Sequence, residues 1–358
     1  MSEQVEFILD GETVYAEKGQ SIWEVANGQG LKIPHLCHKP KPGYRPDGNC
    51  RACMVEIEGE RTLAASCIRE PQPGMVVNSA TSRAENARKM VLEMLVTDQP
   101  EREISHDKSS HFWDMVDLNN VEESRLPRLE AERIPILDDS HVAMSVNLDA
   151  CIQCGLWVRA CREVQVNDVI GMSGRGQNSY PTFDMADPMG SSTCVGCGEC
   201  VQACPTGALM PSSVVDNTQI GDSKDYDEEV KSVCPFCGVG CQVSLKVKDN
   251  KIKFVEGING PANEGRLCVK GRFGFDYIHH KHRLTKPLIR RSDAPKKGLN
   301  VDPINWSEFF REASWEEALN FAANGLKDLR DTKGGQAVAG FGSAKCTNEE
   351  AYLFQKFI

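Results

Sequence analysis

Fifteen of the sixteen cysteines in this 358-residue chain fall into four groups, and that grouping constrains the fold more than any other feature. The groups lie at 37, 50, 53 and 67; at 151, 154 and 161; at 194, 197, 200 and 204; and at 234, 237, 241 and 268. Cys346 stands alone. Three groups have four members. The second, CIQCGLWVRAC, keeps the spacing C-x2-C-x2-C-x3-C except that Trp157 occupies its third place. Completeness but for one letter argues against a coincidence of spacing. Cysteines at this density suit a disulfide scaffold only in a small exported domain. This chain is long and shows no export signal, so clustered thiols read as metal ligands in a reducing compartment.

At 358 residues the chain exceeds one ordinary core, and two to four domains are expected. It is 40% hydrophobic and 26% charged, as in a soluble globular protein. A net charge of −10 argues against nucleic acid and against anionic membranes as partners. The cationic stretch KHRLTKPLIRR (281–291) is short and reads as a solvated face. The start, MSEQVEFILDGETVY, has no basic n-region, apolar h-region or twin arginine, and no later run is long and apolar enough to span a bilayer. A cytoplasmic location is therefore expected.

Residues 1–80 alternate like a small β-rich domain. VEFILD places Val5, Phe7 and Leu9 on one face, Asp10-Gly11 is a hairpin turn signal, and TVYAEK returns. Ser21 and Glu24 form a capping box that opens a short helix. This strand–strand–helix–Cys-loop order predicts a β-grasp domain. TSRAENARKMVLEMLV (81–96) has helical periodicity. Residues 81–145 read as a helical connector without cysteine, 146–220 hold the two C-x2-C runs, and GDSKDYDEEV (221–230) reads as a linker. A hairpin turning at Asp249-Asn250 follows, within a Cys-rich segment at 230–290. In 291–358, a helix at 314–331, a buried strand at 336–341 and a helix capped by Thr347 and Glu350 start an α/β domain. One such unit cannot bury a core alone. The chain is accordingly expected to be the front part of a longer polypeptide. The fold class is thus multidomain α+β.

Cys37, Cys50, Cys53 and Cys67 are four thiolates in a Gly- and Asn-rich loop, PDGNCRAC. Its backbone N–H groups could face bridging sulfides, which suits an iron–sulfur cluster; a structural zinc is the alternative. His35 and His38 flank the first ligand but are not needed. Cys194, Cys197, Cys200 and Cys204-Pro205 form the bacterial ferredoxin run, and in two-cluster ferredoxins the fourth cysteine of each run serves the other cluster. Applied here, Cys194, Cys197, Cys200 and Cys161 hold one 4Fe–4S cluster. Cys151, Cys154 and Cys204 hold another that lacks one thiolate, because indole donates hydrogen bonds and does not ligate iron. The expectation is a 3Fe–4S cluster, then a 4Fe–4S cluster with a non-cysteine ligand, then an empty site. Cys234, Cys237, Cys241 and Cys268 could by spacing alone bind zinc.

The first group resembles the 2Fe–2S domain of the NADH dehydrogenase large iron–sulfur subunit and of related formate dehydrogenases and hydrogenases. CPFCGVGC and RLCVKGRFG resemble the 4Fe–4S domain of the molybdenum/tungsten bis-pterin oxidoreductases. The resemblance continues through RLTKPLIR and GSAKCTNEEAYLFQK, most like the formate dehydrogenases. In this domain order the chain is similar to the front of the catalytic α subunit of cytoplasmic NAD-dependent formate dehydrogenases. The resemblance implies a 4Fe–4S cluster on Cys234, Cys237, Cys241 and Cys268. It puts Lys270 between that cluster and a pterin, and a pterin dinucleotide phosphate at Gly342-Ser343. It also implies Mo or W bis-pterin guanine dinucleotide in the full-length protein. Residues 68–150 contain His106, His111 and His141 but no cysteine, so a further His–Cys cluster found in some relatives is absent. The metal-ligating and substrate-orienting residues of the family come after the last residue here, and Cys346 reads as a packing residue.

The implied function is the wiring of formate oxidation to CO2, reversibly, with electrons passed to a flavin- and NAD-binding diaphorase partner. No G-x-G-x-x-G or P-loop occurs in the chain, so NAD is expected to bind elsewhere. The alternatives are a stand-alone ferredoxin-type carrier, or the equivalent subunit of another pterin- or NADH-linked oxidoreductase.

Overall fold

The computed structural model of the protein describes residues 4–121, 123–127, 137–295 and 302–358. Parts of the expected connector (122 and 128–136) and residues 296–301 lie outside the described residues. The chain divides into two compact units: residues 1–232 with 241–273, and residues 233–240 with 274–358.

The first unit opens with β1 (Val5–Leu9) and β2 (Glu12–Ala16), antiparallel across a two-residue turn. Asp10 and Gly11 both have positive φ (50° and 89°), the turn whose twist matches the strands. Helix α1 (Ile22–Gly28) carries the expected capping box, with Ser21 accepting from the Glu24 N–H and the Glu24 carboxylate accepting from Ser21. Strands β3 (Met54–Ile57), β4 (Ala64–Ala65) and β5 (Val76–Asn78) complete a mixed sheet of order β2-β1-β5-β3-β4. Phe7, Leu9, Val14, Ile22, Trp23, Val55 and Val77 fill the core between the sheet and α1, and Cys53 and Cys67 belong to that core. This is the arrangement of a β-grasp domain.

Helices α2 (Ser82–Thr97) and α3 (His111–Leu118) follow, and Leu92, Phe112, Trp113 and Val116 pack beneath the loop carrying Leu36 and Ala52. Strands β6 (Leu137–Asp138), β7 (Met144–Asn147) and β10 (Leu209–Pro211) form one small sheet, and β8 (Ile170–Ser173) pairs with β9 (Tyr180–Phe183). Between them lie two short helices, α4 (Leu156–Arg159) and α5 (Glu199–Ala203).

GDSKDYDEEV is more ordered than its composition predicts. The Gly221 N–H donates to the His106 carbonyl at 3.0 Å, and Asp225 pairs with Lys248 and, at 2.7 Å, with Lys253. Those lysines belong to the expected hairpin, β12 (Gln242–Lys248) and β13 (Lys251–Gly257), on which β11 (Glu228–Val233) completes a sheet. Asp249 and Asn250 turn it with φ of 50° and 58°. Helix α6 (Val269–Phe273) closes this unit.

In the second unit β14 (Leu288–Arg290) pairs with β15 (Phe310–Glu312), followed by α7 (Trp315–Lys333) and α8 (Asn348–Phe357). Thr347 and Glu350 form the expected capping box. Neither α7 nor α8 contains a buried residue, and Trp315, Phe321 and Phe357 are exposed. The strand expected at 336–341 does not form. Gly335–Ala337 makes a 3₁₀ turn, and the rest is extended without a pairing strand among the described residues. A lone strand leaves its N–H and C=O groups without ladder partners, so the apolar pattern alone does not make one.

Candidate iron–sulfur cluster sites

None of the sixteen cysteines is in a disulfide. The first group converges where the β-grasp sheet meets its long loop. Cys37, Cys53 and Cys67 are buried and Cys50 is half-buried. Ser66, next to Cys67, donates through its hydroxyl to the Cys53 carbonyl at 2.7 Å, and Ser66 itself accepts from the Trp23 N–H, so α1 fixes both cysteines. The Cys50 N–H lies 3.4 Å from the Cys37 sulfur, and the Asn49 N–H also faces it. The PDGNCRAC loop thus directs backbone N–H groups at a sulfur. Contact with Cys50 and Cys67 holds the Cys37 thiol far below its ordinary pKa, and contact with Cys67 lowers Cys53. Hydrogen bonding to Cys37 pushes Cys50 and Cys67 up. Four mutually bonded thiols cannot all ionise without a cation among them, which is the condition a metal cluster meets.

The two runs of the second and third groups are copies of one turn. Gly155 (φ 75°) and Gly198 (φ 69°) are left-handed residues directly before α4 and α5, each immediately after a cysteine. Trp157 and Cys200 are the second residue after these glycines. Cys161 follows α4 in a π-turn spanning Ala160–Val164, a feature that re-aims side chains at functional sites. Val169 donates its N–H to the Cys161 sulfur at 3.3 Å, and Gly196 to the Cys194 sulfur at 3.4 Å. Burial raises the Cys194, Cys197 and Cys200 thiols, and the charge of Cys161 raises all three further. Cys161 thus lies near enough to act electrostatically on all three thiols of the third group.

Cys151, Cys154 and Cys204 line one cavity together with Trp157, Met172, Pro205 and Thr206. Trp157 is only 4% exposed. The missing thiolate and the indole that replaces it thus fall at the same place. Burial raises the Cys154 thiol, with smaller contributions from Cys151, Cys204 and Cys37. Among the described residues no three His, Cys, Asp or Glu side chains converge tightly enough to hold one metal ion.

The fourth group is divided: Cys234 and Cys237 belong to the second unit, Cys241 and Cys268 to the first. Lys270 is exposed in α6. Gly342 and Ser343 are exposed and lie ahead of the Thr347 cap of α8, without the expected strand before them. The Cys346 thiol donates to the Ser343 carbonyl at 2.8 Å, consistent with a packing role. The connector histidines bond to backbone groups. His106 contacts the Gln219 carbonyl at 2.7 Å, His111 the His35 carbonyl at 2.9 Å, and His141 accepts from the Ala143 N–H. His35 and His38 pack against Trp23, and burial drives His35 down to about 3, so it is neutral.

Sequence reasoning missed two buried arginines. Arg159 is 3% exposed; it donates to the carbonyls of Cys37 (2.6 Å), Cys154 (3.3 Å) and Arg45, and pairs with Asp47 at 3.1 Å. Arg272 is 2% exposed and donates to the Cys197 carbonyl (2.8 Å), Gln202 (2.7 Å) and Glu199 (3.2 Å). Glu199 also accepts from the Tyr44 hydroxyl at 2.9 Å. A charged residue inside a cysteine run was the available signal.

Four domain families match the chain: the 2Fe-2S iron-sulfur cluster binding domain (residues 2–82), the 4Fe-4S dicluster domain (150–208), the molybdopterin oxidoreductase Fe4S4 domain (227–280) and the molybdopterin oxidoreductase domain (283–358). Together they define the class: iron–sulfur electron-transfer domains that run into the start of a molybdopterin oxidoreductase domain. Similar curated proteins include "Probable oxidoreductase YjgC" of Bacillus subtilis (strain 168). It is 29% identical over 97% of this chain and 37% of its own length. The provisionally named formate dehydrogenase SAB2186c of Staphylococcus aureus (strain bovine RF122 / ET3-1) is 28% identical over 99% of this chain and 38% of its own. The chain thus spans less than two-fifths of these relatives. A chain from the crystal structure of NAD+-reducing [NiFe]-hydrogenase in the H2-reduced state is similar over 58% of this chain and 87% of its own. Its TM-score is 0.52 and its sequence identity 30%. Among the described residues no helix is long and apolar enough to cross a membrane.

Proposed function

We propose that this chain wires formate oxidation to a flavin- and NAD-binding partner. When bound, the pterin metal centre would take two electrons and a proton from formate, releasing CO2, and the iron–sulfur clusters would carry those electrons singly. The observation that carries this reading is the gathering of three cysteine sites in one unit, joined through Arg159 and continued by Arg272 to the segment after Cys268. Formate as substrate is supported by the name of the Staphylococcus aureus relative, and NAD as acceptor by the hydrogenase likeness.

In this reading Cys37, Cys50, Cys53 and Cys67 hold a 2Fe–2S cluster, and the loop that carries Cys50 directs its backbone N–H groups at the Cys37 sulfur. Cys161, Cys194, Cys197 and Cys200 hold a 4Fe–4S cluster, and Cys234, Cys237, Cys241 and Cys268 another. Cys151, Cys154 and Cys204 hold a 3Fe–4S cluster or a 4Fe–4S cluster with one non-cysteine ligand, Trp157 keeping water from that corner. Lys270 supplies positive charge beside the fourth cluster, and Gly342-Ser343 contacts the pterin dinucleotide. The protein would work in the cytoplasm.

The test uses the full-length protein: metal and pterin analysis, then formate added anaerobically with the clusters followed by EPR. Bound molybdenum or tungsten and cluster reduction by formate are expected. Clusters without pterin metal would make the chain a stand-alone carrier, and reduction by another donor but not by formate would assign it to a different oxidoreductase.

A further inference from the structure

Two buried guanidiniums sit at the junctions between cysteine loops of the first unit. Arg159 touches the carbonyls of Cys37 and Cys154, which belong to two different groups 117 residues apart in sequence. Arg272 donates to the Cys197 carbonyl through its side chain and to the Cys268 carbonyl through its backbone N–H at 3.1 Å. Each carries its own carboxylate, Asp47 or Glu199. One member of each pair also lies beside one of the left-handed glycines. A Cβ on Gly198 would fall 2.2 Å from Arg272 Cδ, and one on Gly155 would meet Asp47 at 3.8 Å. Each left-handed glycine therefore faces one member of an arginine–carboxylate pair, Asp47 at Gly155 and Arg272 at Gly198, and the other member belongs to the turn itself.

We propose that Arg159 and Arg272 are positioning residues of the electron route. Each fixes the separation of two adjoining cluster loops and supplies the positive charge that stabilises the reduced, more negative cluster beside it. This rests on the cluster assignment above. In each transfer one electron leaves a reduced cluster and enters its oxidised neighbour; no bond forms or breaks and no proton moves. The arginine is suited to this because its planar fork bonds two or three carbonyls at once and stays charged when buried, where a lysine would not match the geometry. Desolvation makes its charge act strongly on a nearby redox centre. The carboxylate partner offsets part of that charge, so the two members of each pair act on the clusters with opposite sign.

The test is an EPR-monitored redox titration of the full-length, cluster-loaded protein, with iron content measured for every variant. Arg159→Gln and Arg272→Gln should lower the potential of the clusters at their own junction, whereas Asp47→Asn and Glu199→Gln should raise it. The Arg159 pair should move the Cys37-group cluster and leave the Cys194-group cluster unchanged, and the Arg272 pair should do the reverse. Arg159→Lys and Arg272→Lys retain charge but lose the fork. They should keep potentials close to wild type while rapid-mixing reduction across the junction slows by roughly tenfold or more, the weight of a charge-assisted hydrogen bond. The carboxylate and lysine variants keep the test decisive if the glutamine variants fold poorly. Clusters retained with potentials indifferent to both signs of charge change would overturn the proposal alone. Iron loss in every variant would overturn it in favour of a purely structural anchor. Wild-type protein without iron–sulfur signals would overturn the cluster assignment and the proposal together.

Discussion

Trp157 and Cys200 occupy the same position in two copies of one turn, each the second residue after a left-handed glycine that follows a cysteine. One copy therefore presents a thiol where the other presents a buried indole, on a cavity that Cys151, Cys154 and Cys204 share.

Trp157→Cys should complete that site. Emptying the indole volume costs about 3 kcal/mol of packing, which thiolate–iron bonding offsets. Iron content should rise by about one atom per chain if the site holds a 3Fe–4S cluster, or by about four if it is empty. Unchanged iron with an unchanged EPR spectrum would show that Trp157 does not stand in for a ligand.

Cys161→Ser tests the crossed ligation. Although Cys161 lies in the second run, its substitution should perturb the cluster of Cys194, Cys197 and Cys200 and spare the one served by Cys151 and Cys154. Cys204→Ser should do the opposite. EPR of the two single variants decides it, and matched effects on the cluster of each cysteine's own run would refute the crossing.

Gly198→Ala combines a positive φ with a Cβ placed against Arg272. Left-handed backbone costs an ordinary residue about 1–2 kcal/mol, and crowding adds about as much again. A loss of roughly 2–4 kcal/mol in chemical denaturation is expected. The same change at Gly59, where no atom lies within 4 Å, should cost less.

Asp225 ties the 221–230 segment to the β12–β13 hairpin, and hydrogen bonds from Lys248 and Lys253 hold its carboxyl down at about 2. A depressed acid contributes stability above its unfolded pKa of about 3.9 and loses it as pH falls through the folded value. Asp225→Asn should therefore destabilise the protein at neutral pH and converge with wild type toward pH 2 in denaturation measured across that range. A pH-independent gap would point to a loss of packing.

Much of the fold was legible because local chemistry decided it. The Asp10-Gly11 and Asp249-Asn250 turns, the Ser21–Glu24 and Thr347–Glu350 boxes and the period of α2 each depend on a few adjacent residues. The cysteine groups were legible because ligand spacing is a short-range constraint. What the sequence concealed depends on distant partners. QAVAGF has a strand's composition, but pairing is a property of neighbours it does not have among the described residues. GDSKDYDEEV has a linker's composition, yet Asp225 meets two lysines of a hairpin that folds back on it. Nothing local singles out Arg159 and Arg272, because their burial and their carbonyl partners depend on residues far away in the chain.

Arg272 also limits how the protein can be divided. The acid it neutralises, Glu199, is 2% exposed and lies inside the 4Fe-4S dicluster domain, while Arg272 itself belongs to the stretch matched by the molybdopterin oxidoreductase Fe4S4 domain. A gene cut between those two domains, within residues 209–226, would strand a carboxylate in the interior with Tyr44 as its remaining donor. In this chain the two matched stretches therefore share one buried ion pair, and a fragment that stops short of residue 272 leaves Glu199 without its cation.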